Sequence, residues 1–217
     1  MRTNVDLLLA DQKTGMLPEQ ARGEILTDIA AQLGEFSSLI GDLVQLSRED
    51  APPPRPEIMD LADVVARAVQ RAKRRGPTMV FDVQTESQLV LGDSQAIERS
   101  VTNLLDNAVK FSPSGGRITV RMADETITVA DEGPGISDED LPHIFDRFYR
   151  SDQSRNTPGT GLGLSIVAHT VNSHGGWIKA SRAPGGGALF TMHLPTVDPD
   201  DVAGNESAGS ESLLTSE

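Results

Sequence analysis

The 217-residue sequence contains no cysteine, which excludes a disulfide framework, a thiolate metal site and a cysteine nucleophile. It also lacks any apolar run that approaches the length of a membrane span, and Leu7–Ala10 is too short for a signal peptide. We therefore expect a soluble, cytoplasmic chain. Basic residues are scarce: 19 Lys and Arg face 32 Asp and Glu, a net charge of −13. This balance argues against nucleic acid as a partner, but a nucleotide needs only local positive charge.

The composition divides the chain into four segments. Residues 1–50 have helical periodicity, and the proline-rich stretch 51–56 is expected to be a stiff linker. Residues 57–196 alternate between helix and strand patterns. Residues 197–217 contain acidic residues without basic ones, which predicts a disordered acidic tail.

The segment 1–50 is predicted to form a helical hairpin with Pro18 in its loop. Its second helix carries apolar residues at alternating spacings of four and three, which is the pattern of a coiled-coil seam. The seam consists of Ile29, Leu33, Phe36, Ile40 and Leu43. Because two helices cannot bury such a seam alone, we expect a homodimer in which two hairpins form a four-helix bundle.

The segment 57–196 is predicted to be an α/β domain with mostly antiparallel strands. The predicted helices are 60–75, 94–111 with Asp93 as its cap, 138–149 and 161–174. The predicted strands are 79–83, 88–91, 117–122, 126–131, 177–181 and 188–194.

The first candidate site motif lies on the predicted helix 94–111. Asn103, Asn107 and Lys110 are spaced to form a polar stripe beside the apolar core face of that helix. An asparagine amide oxygen is a hard ligand that suits Mg²⁺, and a lysine can meet a phosphate as a point charge. The alternative interpretation is an ordinary solvated helix face.

The second motif follows a predicted strand. Asp131 stands at the strand end, and Gly133 and Gly135 allow the backbone to approach a flat ligand closely. A carboxylate in this position can accept a hydrogen bond from an adenine amino group. The alternative is a plain Pro-Gly turn.

Two further motifs follow along the chain. Gly159, Gly161 and Gly163 precede a predicted helix, whose N-terminus can bind an anion, although the run is neither a Walker A loop nor a good dinucleotide fingerprint. The segment 141–150 has apolar residues at helical spacing, which core packing explains well. Its polar residues Arg147, Tyr149 and Arg150 lie where they could reach a nucleotide.

The order of these four motifs over 98–167 closely resembles the ATP-binding catalytic domain of bacterial sensor histidine kinases. The resemblance covers about the whole of 57–196, and the hairpin 1–50 resembles the dimerisation and phosphotransfer domain of the same family. It implies a Bergerat-type sandwich of mixed sheet and helices, with ATP and Mg²⁺ as cofactors. It also implies a response regulator as partner, and full-length members are anchored in the membrane with this part in the cytoplasm.

The resemblance also implies roles for individual residues. Asn107 would bind Mg²⁺, while Asn103 and Lys110 would act at the phosphates as catalytic residues. Asp131 would hold the adenine amino group, and a mobile lid at about 147–160 would cover the nucleotide. The residues expected to contact the cofactor are Asn107, Lys110, Asp131, Gly133, Gly135, Ile136, Phe145, Phe148, Tyr149, Arg150, Gly159, Thr160, Gly161, Leu162, Gly163 and Leu164. Phe145 and Phe148 are expected to pack the base of the lid.

The acceptor histidine of the family has no counterpart on the predicted hairpin. All four histidines lie in the segment 57–196, and none is followed by an acidic residue and an Arg-Thr-Pro pattern. We therefore expect a chain cut before the acceptor, which would reside in cis in a full-length protein or on a partner in trans. The alternatives are a mis-started gene product, one half of a split kinase, a pseudokinase that only binds ATP and dimerises, and another Bergerat enzyme such as an anti-sigma serine kinase.

Overall fold

A computed structural model of the protein describes residues 2–15, 17–29, 56–152 and 159–198. The chain divides into two compact units, one formed by residues 1–51 and 152–160, the other by residues 52–151 and 161–217. The proposed linker, apart from residue 56, and the tail beyond residue 198 lie outside the described residues, as does the predicted seam apart from Ile29. Within the described ranges, none of the helices has the length and apolar character that crossing a lipid bilayer requires.

The first unit contains two helices joined by a short loop. Helix α1 spans Arg2–Thr14, and helix α2 starts at residue 19 and is described through residue 29. Asp11 is 3% exposed, and its carboxylate accepts hydrogen bonds from the Leu17 N–H at 2.6 Å and from the Arg22 guanidinium. This carboxylate therefore connects the end of α1 with the loop and with the first turns of α2.

The second unit is built on two sheets. Its elements are β1 (Glu57–Asp60), α3 (Leu61–Arg75), β2 (Val80–Thr85), β3 (Leu89–Gly92), α4 (Ser94–Phe111), β4 (Arg117–Ala123), β5 (Thr126–Ala130), α5 (Gly163–Ser173), β6 (Trp177–Arg182) and β7 (Ala188–His193). The main sheet has the strand order β2-β4-β5-β7-β6, in which only β2 and β4 pair in parallel. Strands β1 and β3 form a separate antiparallel pair. The predicted α/β fold with mostly antiparallel strands is confirmed.

The core lies between the main sheet and the helices. Every second residue of β4, β5 and β7 is buried, which is the period-2 pattern of a sheet that is covered on one face. Helices α3, α4 and α5 bury their apolar faces in the same cluster, with α4 packed against both of the others. Because α4 contacts both helices and two strands, its residues are the natural link between distant parts of the unit.

The N-terminus of α4 is held in place by two side chains. The Asp93 carboxylate accepts hydrogen bonds from the Gln95 and Ala96 N–H groups, so the predicted cap is confirmed. His174, at the end of α5, accepts the Asp93 N–H through Nε2 at 3.0 Å and donates from Nδ1 to the Thr170 carbonyl at 2.6 Å. These two bonds require the neutral imidazole with its proton on Nδ1. His174 therefore couples α5 to α4.

One secondary-structure prediction is wrong, and one strand has no predicted counterpart. The strand β1 was not predicted, and it pairs with β3 immediately before the Asp60 cap of α3. The predicted helix 138–149 is instead a series of turns, with hydrogen bonds from Leu141 to Ser137 and from Ile144 to Asp140. Pro142 lies inside this segment and has no N–H group to donate, which explains why a continuous helix does not form.

Asp11→Ala should loosen the hairpin loop of the first unit. The change removes the acceptor of the Leu17 N–H and the partner of Arg22, and a buried hydrogen bond to a charged group contributes about 1–3 kcal/mol. Hydrogen exchange at the Leu17 amide should accelerate accordingly. The exposed Asp6 on the same helix supplies the control, since Asp6→Ala should leave this amide unchanged. Equal exchange in both variants would contradict the role of Asp11.

Candidate functional site

A buried carboxylate follows the central strand β5. Asp131 is 6% exposed, and its Oδ1 accepts hydrogen bonds from the Gly133 N–H at 2.8 Å and the Ala188 N–H at 3.0 Å. Its own N–H donates to the Ala188 carbonyl at 3.0 Å. Its Oδ2 has no hydrogen-bond partner within the part of the chain that the structure describes. One oxygen is thus fixed by backbone donors, and the other is left to accept a hydrogen bond from a ligand.

Burial sets the electrostatics of this carboxylate. Desolvation raises the pKa of Asp131 above its ordinary value, and the hydrogen bonds from Ala188 and Gly133 offset part of that rise. Among the described residues, no basic side chain is a cause of this shift. An acceptor in such a weakly solvated position binds an N–H donor more strongly than one in water.

Glycine is required at two positions beside Asp131 because backbone lies directly against them. A Cβ at Gly133 would be 2.7 Å from the Phe111 carbonyl oxygen, at the end of α4. Gly135 has a φ of +79°, and a Cβ there would be 3.0 Å from the Gly187 carbonyl oxygen. The turn after β5 is therefore packed between α4 and the residues that precede β7.

The polar stripe of α4 is present as predicted, with a different environment for each side chain. Asn103 donates from Nδ2 to the Gly163 carbonyl at 3.2 Å, which ties α4 to the first residue of α5. Asn107 is half-buried and has no hydrogen-bond partner among the described residues. Lys110 is half-buried, with its ammonium 4.8 Å from the Phe111 ring centroid. Asn107 lies one helical turn from both Asn103 and Phe111, so it stands between the two places where α4 meets the other motifs.

The glycine run leads into α5 through a left-handed residue. Gly161 has a φ of +74°, and a Cβ there would be 2.8 Å from the Phe148 carbonyl carbon. The Phe148 N–H donates to the Gly161 carbonyl at 3.0 Å. Helix α5 begins at Gly163, and its N-cap residue is Leu162, whose side chain has no polar group for capping. The N–H groups of its first turn and the positive end of its dipole form a potential anion site.

The turn segment 137–149 is organised by Asp140. The Ser137 and Tyr149 hydroxyl groups both donate to its carboxylate at 2.6 Å, and these bonds hold the pKa of Asp140 below its ordinary value. Phe145 packs against the core as expected. Phe148 does not: its side chain is 63% exposed and its φ is +64°, because the residue is part of a turn and not of a helix.

The remaining residues predicted to contact the cofactor differ in which of their atoms are accessible to it. Leu162 is 0% exposed and can present only backbone atoms to a ligand, whereas Ile136 and Leu164 are half-buried with their side chains packed against the core. Arg150 is half-buried next to the turn segment. Gly159 and Thr160 belong to the other compact unit, and their contact with a nucleotide stays a prediction.

Sequence reasoning missed two contributors to the site, Gly187 and Ala188. Both supply backbone contacts to Asp131, Gly187 from the end of the turn between β6 and β7 and Ala188 from the first position of β7. The run of three glycines at 185–187 was a visible signal, but nothing in it indicates which distant residue it approaches.

The site combines an open carboxylate oxygen, an Asn107 amide with no partner among the described residues, a lysine on the same stripe and the N-terminus of α5. These groups suit a ligand with an amino-bearing ring and an anionic tail. The second unit thereby defines a class, the ATP-binding domains of the Bergerat fold. In agreement, the family described as histidine kinase-, DNA gyrase B-, and HSP90-like ATPase matches residues 92–198.

Comparison with known proteins narrows the class to one family. The chain is 45% identical over 219 aligned residues to the signal transduction histidine-protein kinase/phosphatase MprB of Mycolicibacterium smegmatis, with 96% of this chain and 44% of that protein covered. It is 42% identical to the protein of the same name from Mycobacterium avium, and the alignment covers 98% of this chain and 42% of that protein. The chain therefore spans under half the length of these relatives.

Comparison with solved structures points to the same family. A structure of the mycobacterial sensor histidine kinase MprB matches with a TM-score of 0.61 and 38% identity, covering 64% of this chain and 98% of that one. The Acinetobacter baumannii histidine kinase AdeS matches with a TM-score of 0.61 and 26% identity, covering 91% of this chain and 97% of that one. The chain belongs to the sensor histidine kinase family.

Asp131→Asn should not destabilise the domain at neutral pH. An asparagine Oδ1 can still accept both N–H bonds, while the cost of burying a charge disappears. Because the folded-state pKa of Asp131 is raised, wild-type stability should fall as pH rises from below the ordinary aspartate pKa of about 4 through the higher folded value. The stability difference in favour of the variant should therefore be small in acid and largest at neutral pH.

Urea unfolding of both proteins across this pH range measures that difference. The exposed Asp63 on α3 provides the control, since Asp63→Asn should show no comparable trend. A variant that loses stability relative to wild type as pH rises would contradict the assigned effect of burial.

Proposed function

We propose that this chain is the ATP-binding catalytic part of a sensor histidine kinase, which transfers the γ-phosphoryl group of ATP to a histidine in two-component signalling. The observation that carries the proposal is the state of Asp131. Its side chain is buried, one oxygen is locked by two backbone donors, and the other is open to a ligand. A carboxylate held in this way is suited to the amino group of adenine.

The adenosine part of the ligand is assigned to the turn after β5. Asp131 accepts the 6-amino group through Oδ2, and Gly133 and Gly135 let the backbone approach the base. Ile136 and Phe145 extend the apolar core toward this turn and offer contact area for the base. In this assignment, the site recognises the purine by the substituent at its six-position.

The phosphates are assigned to α4 and the N-terminus of α5. Asn107 fits a Mg²⁺ ion because its half-buried amide has no protein partner in the described part of the chain and offers a hard oxygen ligand. A bound Mg²⁺ supplies neutralisation of phosphate charge. Lys110 adds a positive charge on the same helix face, and the N–H groups in the first turn of α5 bind phosphate oxygens. Asn103 keeps Gly163 and the helix start in place through its hydrogen bond.

Catalysis on this scaffold is positioning combined with charge stabilisation. Phosphoryl transfer requires the attacking nitrogen, the phosphorus and the leaving oxygen to be roughly in line, and the protein has little covalent chemistry to perform. The histidine that accepts the phosphoryl group is proposed to lie on a dimerisation hairpin, in cis in a longer protein or in trans on a partner. A response regulator is the proposed final acceptor, and the seam that includes Ile29 is proposed to form the homodimer.

Three of the four histidines in the catalytic unit make hydrogen bonds to other residues of that unit. His143 bonds Asp146, and His174 bonds Asp93 and Thr170. His193 bonds Glu125 and stacks against Trp177 with ring centroids 5.4 Å apart. His169 is exposed on α5. None of them lies on the hairpin helices, which supports a separate acceptor.

The protein should bind Mg·ATP with a dissociation constant in the micromolar range or weaker. Asp131→Asn should weaken binding by about 1–3 kcal/mol, because a charge-assisted hydrogen bond is lost. Asn107→Asp should impair binding chiefly when Mg²⁺ is present, because it changes the charge of a metal ligand. Isothermal titration with a non-hydrolysable ATP analogue, with and without Mg²⁺, measures these effects. No binding at millimolar ligand would refute the proposal, and the exposed Asp63→Asn should match wild type.

Incubation with labelled Mg·ATP should leave this chain without phosphohistidine, since none of its histidines occupies an acceptor segment. A separate acceptor hairpin with a His-Glu-Leu-Arg-Thr-Pro segment should gain acid-labile, base-stable label when it is mixed in. The rate should be low, because a misplacement of about 1 Å can reduce transfer roughly a hundredfold. Acid-labile label on the chain alone would overturn the assignment of a separate acceptor. Binding of ATP without label on the added hairpin would favour a pseudokinase.

A further inference from the structure

We propose that Gly187 is a positioning residue for adenine recognition: its missing side chain allows the backbone before β7 to hold the Asp131 carboxylate in line with the 6-amino group. This inference rests on the proposed ATP-binding function and extends it to a residue outside the four motifs. Gly187 is 56 positions from Asp131 in the sequence, so only the fold brings the two together.

The first observation is steric. A Cβ at Gly187 would overlap the Asp131 carbonyl oxygen and would lie 2.7 Å from its Oδ1. Any side chain at position 187 must therefore displace either the backbone of Asp131 or its carboxylate. Gly187 also has a φ of +77°, a conformation that side chains disfavour.

The second observation is that the same turn supplies the hydrogen bonds that orient the carboxylate. Ala188, the next residue, donates its N–H to Oδ1 and accepts the Asp131 N–H through its carbonyl, both at 3.0 Å. A displacement at position 187 would therefore disturb the bond that fixes Oδ1, and with it the direction in which Oδ2 points.

The third observation is that Gly187 is itself held firmly. Its carbonyl accepts the Ala183 N–H at 3.1 Å across the β6–β7 turn. The same carbonyl would be 3.0 Å from a Cβ at Gly135, so Gly187 contacts both ends of the turn that begins with Asp131. The turn between β6 and β7 thus lies directly against Asp131 and the turn that follows it.

The chain offers a matched control one residue away. Gly186 has a φ of +89°, and a Cβ there would meet nothing within 4 Å. Gly186→Ala therefore imposes a comparable backbone strain on the same turn without touching Asp131. The comparison of Gly187→Ala with Gly186→Ala separates contact with the carboxylate from a general effect on the turn.

The test compares two ligands, ATP and purine riboside 5′-triphosphate, which lacks the 6-amino group. Wild type should bind ATP about tenfold or more tightly than the analogue, as expected for a hydrogen bond to a charged acceptor. Gly187→Ala should lose most of this preference while its affinity for the analogue changes little. Gly186→Ala should keep the wild-type preference. Isothermal titration gives all the required affinities.

A second variant tests the hydrogen bond that orients the Asp131 carboxylate without adding a side chain at position 187. Ala188→Pro replaces the N–H that donates to Asp131 Oδ1 with the ring Cδ, which would press against that oxygen, and proline is tolerated at the first residue of a strand. It should reduce the ATP preference in the same selective way. Circular dichroism identifies which variants are folded, and a folded Gly187→Ala or Ala188→Pro protein that retains the full preference would overturn the proposal.

Two other results have distinct meanings. Equal weakening of ATP and the analogue in Gly187→Ala would show a purely structural role and would also overturn the proposal. A wild type without preference for ATP, or a preference that survives Asp131→Asn, would refute the adenine assignment of Asp131 itself. Failure of the inference and failure of the proposed function are therefore distinguishable.

Discussion

The burial of one carboxylate, that of Asp131, is the constraint on which the second unit depends. A buried charge is costly unless donors compensate it, and here the donors are the backbone N–H groups of Gly133 and Ala188. Both must approach within hydrogen-bond distance, which requires the antiparallel pairing of β5 with β7 and a tight turn after β5. The glycines at 133 and 187 follow from this, because a side chain at either position would collide with backbone. The position of the Asp131 carboxylate and the register of β5 with β7 therefore depend on each other.

Helix α4 brings the phosphate-binding groups close to the turn that contains Asp131. Its buried face, with Val101, Leu104 and Leu105, fixes the helix in the core. Its polar stripe then faces the other motifs: Asn103 bonds the start of α5, and the Phe111 carbonyl contacts Gly133. Because both contacts are made by a single rigid helix, the distance between the adenine side and the phosphate side of the site is set by helical rise.

The periphery of the site is fixed by polar bonds more than by apolar packing. Asp140 gathers the hydroxyl groups of Ser137 and Tyr149, and Phe148 is joined to Gly161 through backbone atoms while its ring remains exposed. Apart from Ile144 and Phe145, which pack against the core, the segment depends on such bonds, so its local stability is expected to be lower than that of the core. In the first unit, Asp11 performs a similar connecting role for the loop between two helices.

The sequence alone determined the features that depend on neighbouring residues. The apolar periodicity of α3 and α4, the Asp93 cap, the alternation along β4, β5 and β7 and the order of the four motifs all reside in short windows, so the α/β class and the family resemblance could be predicted. Tertiary structure decided the rest. The strand β1 forms only because β3 pairs with it, and the turns around Pro142 replace a helix that periodicity alone predicts. The support of Asp131 by Ala188 spans 57 positions and the bond from Asp93 to His174 spans 81. Such contacts involve backbone atoms, which every residue possesses, and no local pattern of side chains can therefore reveal them.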